Sequence, residues 1–285
     1  MPKESLSTMT LRRIRMKFHA KRALPGNWFR SIFLVLFYVL ATTFTLQVIL
    51  PPIDPAMLKE PPATYAELLA ILFPNPISRN YLLLVGVMLL LYWLVVSPLS
   101  VGLSRFFIGV ARLQKPKAPV ALSIFCDLGL VLSSMGLSFL VGFLKLLWLV
   151  LFLLLPVCLL YAAYTMQSLV LAEISAFLYP IALILYAGKS LAYTPATYLF
   201  ADNPSIGVFG AVRHSVAITR GHLVEFFLME LSFILWRFFV SLSGLVGNLF
   251  FLPYYHTTMV VFVDSLRVRF DPSLAPQAEE VPQGE

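Results

Sequence analysis

A first group of side chains that could do chemistry lies in the segment LFADNPSIGVFGAVRHSVAITRGH, residues 199–222. The carboxylate of Asp202 is followed there by the guanidinium groups of Arg213 and Arg220 and by the imidazole of His222. Guanidinium groups bind carboxylate and phosphate oxygens, and histidine exchanges protons near neutral pH. We interpret this segment either as a binding site for a lipid headgroup or a protein partner, or as a solvated connector between membrane segments.

A second polar set lies in the apolar sequence that follows. A charge near the middle of a bilayer costs about 2.5 to 3.5 kcal/mol, so we expect Glu230 to face the interior of a helix bundle. At a rise of about 1.5 Å per residue, Glu230 and His256 have nearly equal depth in two antiparallel helices, whereas Arg237 is roughly 10 Å further along the helix of Glu230. His256 and Asn248 are therefore the candidate partners of Glu230, and the depth match favours His256 over Arg237. The full set is Glu225, Glu230, Arg237, Asn248 and His256.

This second set has two interpretations. One is a satisfied polar cluster inside the bundle, and the other is a pathway for protons or ions. Glu225 is close to the cytosolic end of its segment, so we expect it to be hydrated.

Other catalytic signals are absent from the sequence. The motifs HExxH, GxSxG and CxxC and the phosphate-binding loop do not occur, and the 4 histidines do not have the spacing of metal ligands. Cys126 and Cys158 are expected on different sides or at different depths of the membrane, which argues against a disulfide. The sequence predicts no cofactor and no metal, and it argues against an enzyme. An enzyme acting at headgroup level through Asp202, His214 and His222 is kept as an alternative.

Composition places these residues in a membrane protein. Hydrophobic residues make up 59% of the 285 residues and charged residues only 12%, with a mean hydropathy of +0.85, whereas soluble domains carry about 25% charged residues. The net charge of +7 is typical of the cytosolic anchors of a multi-pass protein, and we do not assign it to nucleic-acid binding. The expected partners are the lipid bilayer and its anionic headgroups, with a membrane protein as an alternative partner. The oligomeric state is left open.

Six apolar segments approach the length of about 20 residues that a helix needs to cross a bilayer. We expect an all-α, polytopic membrane helix bundle with additional amphipathic interfacial helices. Lys145 divides a long apolar run because its ammonium can reach an interface, so residues 120–144 are expected to form an interfacial or re-entrant helix. The alternative is that they form part of one long, tilted span. The small residues Ser134, Ser138 and Gly142 in this run permit close helix packing, and we favour packing within the chain over dimerisation. The expected spans lie near residues 28–50, 81–98, 146–164, 174–193, 223–241 and 244–263.

Residues 204–219 are expected to form a helix that lies along the cytosolic interface. Asp202 or Asn203 can cap the first backbone N–H groups, and proline is favoured at the first helical position that follows. Arg213 and Arg220 flank an apolar stripe, where each could contribute about 1 kcal/mol of binding to anionic headgroups. The predicted stripe consists of Ile206, Phe209, Val212 and Val216.

Positive charge predicts the orientation of the chain. With both termini in the cytosol, all of the 21 basic residues except Lys59, Arg79 and Arg237 lie on the cytosolic side or at its interface. The tail is rich in glutamate and proline, which is typical of disorder. The predicted organisation is a basic cytosolic segment, a membrane domain and a disordered acidic tail, at residues 1–27, 28–270 and 271–285.

Several short motifs carry a family resemblance. They are SVGLSRFFIGVAR (100–112), ADNP (201–204), a serine before a GH pair (Ser215, Gly221, His222), LSFILW (231–236) and PYY (253–255). Together they resemble the domain-of-unknown-function 975 family of bacterial multi-pass membrane proteins. Leu235 stands where that family often has glycine, which weakens the case for a close helix contact there. The resemblance implies a multi-pass protein of the bacterial plasma membrane, and it carries over no catalytic residue.

Three classes of function fit these patterns. We favour a non-enzymatic accessory or scaffold protein whose cytosolic surface faces lipid or a partner. A small transporter or channel that uses the polar residues of the fifth and sixth spans is the first alternative. A membrane-embedded enzyme at the cytosolic headgroup level is the second.

Overall fold

The computed structural model describes residues 6–49, 79–271 and 273, with side chains described for residues 9–43, 83–271 and 273. All regular elements within these residues are helices, which confirms the all-α prediction. Most of the predicted acidic tail lies outside the described residues.

From residue 79 to residue 271 the helices follow one another with short connections. Two 3₁₀ turns within this range, at Ser123–Cys126 and Pro204–Ile206, interrupt the series. In chain order the α-helices are α1 (Leu6–Ala23), α2 (Trp28–Ile49), α3 (Arg79–Ala111), α4 (Pro119–Leu122), α5 (Leu128–Met166), α6 (Leu169–Ala192), α7 (Pro195–Asp202), α8 (Gly207–Thr219), α9 (Leu223–Leu231), α10 (Ile234–Ser243) and α11 (Leu245–Phe270).

Local sequence determines where several of these elements start. The carboxylate of Asp127 caps α5, because it accepts hydrogen bonds from the backbone N–H groups of Gly129 (2.8 Å) and Leu130 (3.3 Å). The predicted cap at Asn203 is confirmed in part. Its side chain accepts a hydrogen bond from the backbone N–H of Ser205 at 3.2 Å, but it caps the 3₁₀ turn Pro204–Ile206, and the α-helix of this segment begins only at Gly207. The 3₁₀ turn leads directly into α8.

A packed core joins the C-terminal half of α3 to α7, α9 and α11. Residues 96–111 of α3 are almost entirely buried, whereas most residues from 83 to 95 are exposed. The large side chains enclosed in this core are Phe106, Phe107, Phe200, Phe226 and Phe262. Burial of such aromatic side chains stabilises this part of the molecule.

Small residues let neighbouring helices approach α3 closely. A Cβ atom on Gly102 would lie 1.9 Å from the carbonyl oxygen of Ala121, so α4 can pack there only against a glycine. On another face of α3, the hydroxyl of Ser97 donates to the carbonyl oxygen of Ser134 (2.7 Å) and lies 2.6 Å from the hydroxyl of Ser138. The serine row of α5 therefore packs within the chain, as the sequence predicts.

Two regions extend from this core with apolar side chains directed outward. One is the N-terminal half of α3, and the other is the hairpin of α5 and α6 beyond residue 146. Leu154 and Phe177, for example, are 56% and 70% exposed. An apolar surface of this extent requires lipid rather than water as its surroundings.

The structure decides among the alternatives for residues 120–144. The favoured interpretation, an interfacial or re-entrant helix separate from a span at 146–164, was wrong, because α5 is one continuous helix of 39 residues, as the alternative of a single long span requires. Lys145 does not interrupt it, because lysine is a good helix former and its long side chain reaches polar surroundings without a break in the backbone. Only the part before Asp127 forms short separate turns.

The segment predicted as the fifth span, 223–241, is broken in the middle. It forms α9 and α10, of 9 and 10 residues, separated by Ser232 and Phe233. The backbone N–H of Phe233 donates to the carbonyl oxygen of Glu230 at 2.9 Å, an i→i−3 bond that tightens the last turn of α9. Neither helix alone is long enough to cross a bilayer.

The basic N-terminal segment is helical rather than merely a charged extension. α1 makes an angle of 101° with α2, so α1 lies near the membrane plane if α2 crosses the membrane. One side of α1 is buried through Met16, Ala20 and Ala23, whereas its other side exposes Leu11, Ile14 and Phe18.

Several helices have the length and composition of membrane spans. Within the described residues four of them qualify, and the bent pair of α1 and α2 is a fifth if it counts as one span. The four are Leu83–Ala111, Leu128–Met166, Leu169–Asp202 and Leu245–Phe270. The protein is therefore a multi-pass membrane protein, and the count of six spans stays a prediction.

Candidate functional site

The first charged cluster joins the C-terminal end of α3 to α7 and α11. Asp202, the last residue of α7, accepts two hydrogen bonds from the guanidinium of Arg112, at 2.7 and 3.0 Å, and another from Arg267 of α11 at 2.5 Å. Asp264 lies 3.5 Å from Arg112 and 3.4 Å from Arg267. Hydrogen bonding to Asp202 raises the pKa of Arg112 above its ordinary value. We call these four residues the Asp202 cluster, which fixes the ends of three helices.

The second charged cluster joins α1, α9 and α11. Glu225 is only 1% exposed and forms a two-point ion pair with Arg269, with distances of 2.7 and 3.2 Å. Arg12 of α1 lies 3.7 Å from the same carboxylate, and the Nδ1 atom of His222 lies 3.8 Å from it. We call these four residues the Glu225 cluster. The prediction of a hydrated Glu225 was wrong, because α1 and α11 cover the first turn of α9.

Arg213 and Arg220, which the sequence groups with Asp202, do not join either cluster. Both side chains are exposed, Arg213 on α8 and Arg220 directly after its last turn, and neither forms an ion pair with any described residue. Their spacing places them on one helix face together with two exposed apolar residues. We call this face the α8 outer stripe, and it consists of Phe209, Arg213, Val216 and Arg220.

The α8 outer stripe differs from the predicted apolar stripe. Phe209 is 77% exposed, but Val212 is only 8% exposed and packs into the core. The buried face of α8 also includes Ser215, whose hydroxyl donates to the carbonyl oxygen of Ala192 at 2.7 Å. The prediction failed in part because the core, and not the bilayer, covers one side of the helix.

Glu230 has other partners than the sequence predicts. Arg237 donates to one carboxylate oxygen at 2.8 Å, and the hydroxyl of Tyr255 donates to the other at 2.6 Å. The guanidinium of Arg237 also lies over the Tyr255 ring, 5.1 Å from its centroid. The predicted preference for His256 was wrong because the turn at Ser232 and Phe233 shortens the path from Glu230 to Arg237, so the rise of a continuous helix does not apply.

His256 and Asn248 lie in separate contacts. The Nδ1 atom of His256 is 2.9 Å from the hydroxyl of Tyr198, and its ring stacks on Phe107 at a centroid distance of 5.3 Å. The amide of Asn248 donates to the carbonyl oxygen of Gly244 at 3.0 Å, in the first turn of its own helix. The predicted polar set is therefore divided among four places, at Glu225, Glu230, His256 and Asn248.

The residues of the enzyme alternative also separate. Asp202 is held by arginines, and His222 belongs to the Glu225 cluster. His214 packs against the Phe270 ring at 5.6 Å, and burial together with Arg267 lowers its pKa. Among the described residues, no three histidine, cysteine or acidic side chains form a group that could hold a metal ion.

The sequence of the chain matches a known protein family. A family model described as a protein of unknown function, DUF975, matches residues 9–269. The chain belongs to the DUF975 family. No curated protein matches it, and no solved structure does.

The motifs that carry the DUF975 resemblance lie at the contacts just described. ADNP supplies Asp202, the GH pair supplies His222, and PYY supplies Tyr255, the donor to Glu230. The departure at Leu235 has little effect on packing, since this residue is 69% exposed on α10. In this DUF975 protein the recognisable motifs therefore hold helices together at charged contacts.

Sequence reasoning missed the basic partners of both clusters. Arg267 and Arg269 were counted only as charges that orient the chain, whereas Arg112 and Tyr255 were also parts of motifs without an assigned contact. Asp264 and Arg267 are spaced i and i+3, which places them on one face of α11 and could have indicated an ion-paired surface. The partners of Asp202 lie 90 and 65 residues away, so no local pattern could have identified them.

Proposed function

We propose that this DUF975 protein is a non-enzymatic accessory or scaffold protein of the bacterial plasma membrane, with both termini in the cytosol and a cytosolic surface that binds anionic lipid headgroups. The observation that carries the proposal is the contrast between the paired and unpaired arginines. The arginines of the two clusters are engaged by Asp202 and Glu225, whereas Arg213 and Arg220 project outward from α8 without an ion pair to any described residue.

The α8 outer stripe has the composition of an interfacial helix face. Phe209 and Val216 can insert at the level of the headgroups, while the two arginines between and beyond them remain among the phosphates. Each basic residue near an anionic surface contributes about 1 kcal/mol. The rigid attachment of α8 to the core, through its buried face, would hold this stripe at a fixed height.

A lipid-retention experiment tests the headgroup role. The full-length protein would be extracted from vesicles that contain anionic and zwitterionic phospholipids, and the lipids retained per protein would be counted by mass spectrometry. We expect the double variant R213E/R220E to retain less anionic lipid than the wild type. The control K115E/K117E makes the same change of charge at two exposed lysines in the loop between α3 and α4. Equal losses in both double variants would contradict a specific role of α8.

The orientation has its own test. In a chain whose Cys126 and Cys158 are replaced by serine, single cysteines would be introduced at Gln167, in the α5–α6 turn, and at Ser205, before α8. An impermeant thiol reagent added outside the cell should label position 167 and not position 205. The reverse pattern would place α8 on the outer side and exclude the proposed surface.

The transporter alternative has weaker support. It depends on Glu230, and both oxygens of that carboxylate already accept hydrogen bonds, from Arg237 and Tyr255. A carboxylate held in this way resembles a satisfied polar cluster more closely than a proton carrier. We therefore favour the accessory role.

A further inference from the structure

A cavity of about 380 Å³ lies where the corner between α1 and α2 meets α10 and α11. Its volume is within the range of about 300–1,000 Å³ that is typical of small-molecule sites. The walls are mostly aromatic and aliphatic, with Lys21 as the one cation among them. Principal members of the lining are Lys21, Trp28, Trp236, Val240, Phe250 and Tyr254.

The mouth of this cavity opens among side chains that are exposed on the outside of the molecule. Trp236, Phe239 and Phe250 line the cavity and are 57%, 62% and 57% exposed. Phe29, in the first turn of α2, is 92% exposed. Because lipid surrounds such apolar residues on the outside of a multi-pass protein, acyl chains of the bilayer can reach the cavity.

Lys21 gives the cavity an electrostatic preference. Its ammonium forms no ion pair within the described part of the chain, whereas its neighbours are engaged with aromatic rings. Lys17 lies over the Phe233 ring at 4.4 Å, and Arg22 lies over the Phe18 ring at 4.4 Å. A lysine at the edge of an apolar cavity keeps its stem among apolar groups and its charge near the headgroups.

The tryptophans place the cavity near a membrane–water interface. Trp28 begins α2, and Trp236 lies in the first turn of α10. Tryptophan is enriched at the headgroup level, because its ring is apolar and its N–H needs a polar partner. A lipid with its headgroup at Lys21 would therefore have its acyl chain at the level of the cavity.

We propose that this cavity binds one acyl chain of an anionic phospholipid from the adjacent leaflet, with the phosphate group held by the ammonium of Lys21. The site is separate from the α8 outer stripe. It adds a defined lipid-binding site to the general attraction for anionic headgroups in the proposed function. It rests on that function in one respect, namely that both sites bind anionic phospholipid.

Photo-cross-linking tests this site in the full-length protein reconstituted in nanodiscs. The probe is a phosphatidylglycerol with a diazirine in one acyl chain, and the cross-linked residues are identified by mass spectrometry. We expect cross-links to the cavity lining, and we expect K21E to reduce them at least about fivefold, the factor that corresponds to about 1 kcal/mol per basic residue. K115E is the matched control and should leave the cross-links unchanged.

A second variant fills the cavity without changing charge. V240W places an indole in the space between α10 and α11, and it should also abolish the cross-links. A thermal unfolding measurement must show that it remains folded, and S243W replaces it if it does not, because Ser243 also lines the cavity but is exposed. Cross-links that persist in K21E and in the filled variant would overturn the proposal.

Comparison of probes distinguishes the occupants. Equal cross-linking by a phosphatidylcholine probe with the same diazirine chain would contradict the role of Lys21. Competition by glycerol phosphate, which has no acyl chain, would assign the site to a free phosphate and also overturn the proposal. If R213E/R220E retains anionic lipid normally while K21E loses the cross-links, the headgroup role of α8 is contradicted and the cavity site is supported. If R213E/R220E loses anionic lipid while K21E keeps the cross-links, the headgroup role of α8 is supported and the cavity site is contradicted.

Discussion

α5, in the α5–α6 hairpin, and α11 are both long enough to cross a bilayer, but they have opposite surroundings. α5 and α11 both have more than 25 residues and both contain an internal proline, Pro156 and Pro253. In the most apolar stretch of each, only 6% of α5 is buried inside the protein, compared with 44% of α11. One helix therefore has lipid as its main surroundings, and the other has mainly protein.

The difference follows from what each helix carries. The apolar stretch of α5 has a mean hydropathy of 2.7, whereas that of α11 reaches only 1.2. α11 ends in Asp264, Arg267 and Arg269, which tie it to α1, α3, α7 and α9 through the two clusters. Length and hydropathy select both helices as spans, but charge and burial separate a lipid-facing helix from one that organises the fold.

The largest expected effect comes from removing the buried acid that faces α11. In Glu225→Ala, Arg269 loses its ion-pair partner in a buried site, and Arg12 loses a nearby opposite charge. Breaking a buried pair in this way costs about 3–5 kcal/mol. Thermal and denaturant unfolding in detergent would measure the loss, with Lys115→Ala as the surface control.

The double variant E225L/R269M tests whether pairing itself is responsible. Replacing both charges by apolar groups removes the unpaired cation, so this variant should be more stable than Glu225→Ala. If the double variant is the less stable of the two, the cost lies in packing and not in the unpaired charge.

A charge placed on the lipid-facing hairpin should have the next largest effect. Leu154→Arg puts a guanidinium near the middle of the apolar part of α5, where insertion scales assign about 2.5–3.5 kcal/mol. We expect reduced membrane insertion, measured as the fraction of protein that resists alkaline extraction. Tyr164→Arg is the matched control, since a side chain near the hairpin turn can reach the headgroups. Equal losses in both variants would contradict the assignment of a lipid-facing span.

Some of this comparison could be predicted from the sequence, because it depends on local properties. The membrane class follows from composition, and the helix start at Asn203 follows from capping chemistry that involves neighbouring residues only. The ion pair of Glu230 with Arg237 could not be predicted, because it depends on a break in a segment whose apolar pattern is continuous. Likewise, a count of positive charges treats Arg267 as an anchor, although it contacts Asp202 in the folded chain.

The Glu230 contact should have a moderate effect. In Glu230→Gln, the ion pair with Arg237 is lost, but the amide can still accept a hydrogen bond from Tyr255. Arg237 is 51% exposed, which screens the pair, so we expect a loss of about 1 kcal/mol in the free energy of unfolding.

A transport measurement on the same variant tests the alternative function. The protein would be reconstituted in vesicles with a proton gradient, and the flux would be compared between the wild type and Glu230→Gln. A proton-dependent flux that disappears in the folded variant would support the transporter. The absence of any flux in the wild type would leave Glu230 with a structural role.

The smallest expected effect is a pH dependence from His214, where α8 meets the end of α11. Burial and the nearby Arg267 lower its pKa below the ordinary value of 6.5. The unfolded chain therefore binds a proton more readily than the folded protein as the pH falls through 6.5, so this histidine reduces stability on the acid side. The effect is small because the side chain is partly exposed. Unfolding temperatures from about pH 8 to about pH 5.5 should decrease slightly less in His214→Asn than in the wild type, whereas a steeper decrease in the variant would mean that protonated His214 stabilises the fold.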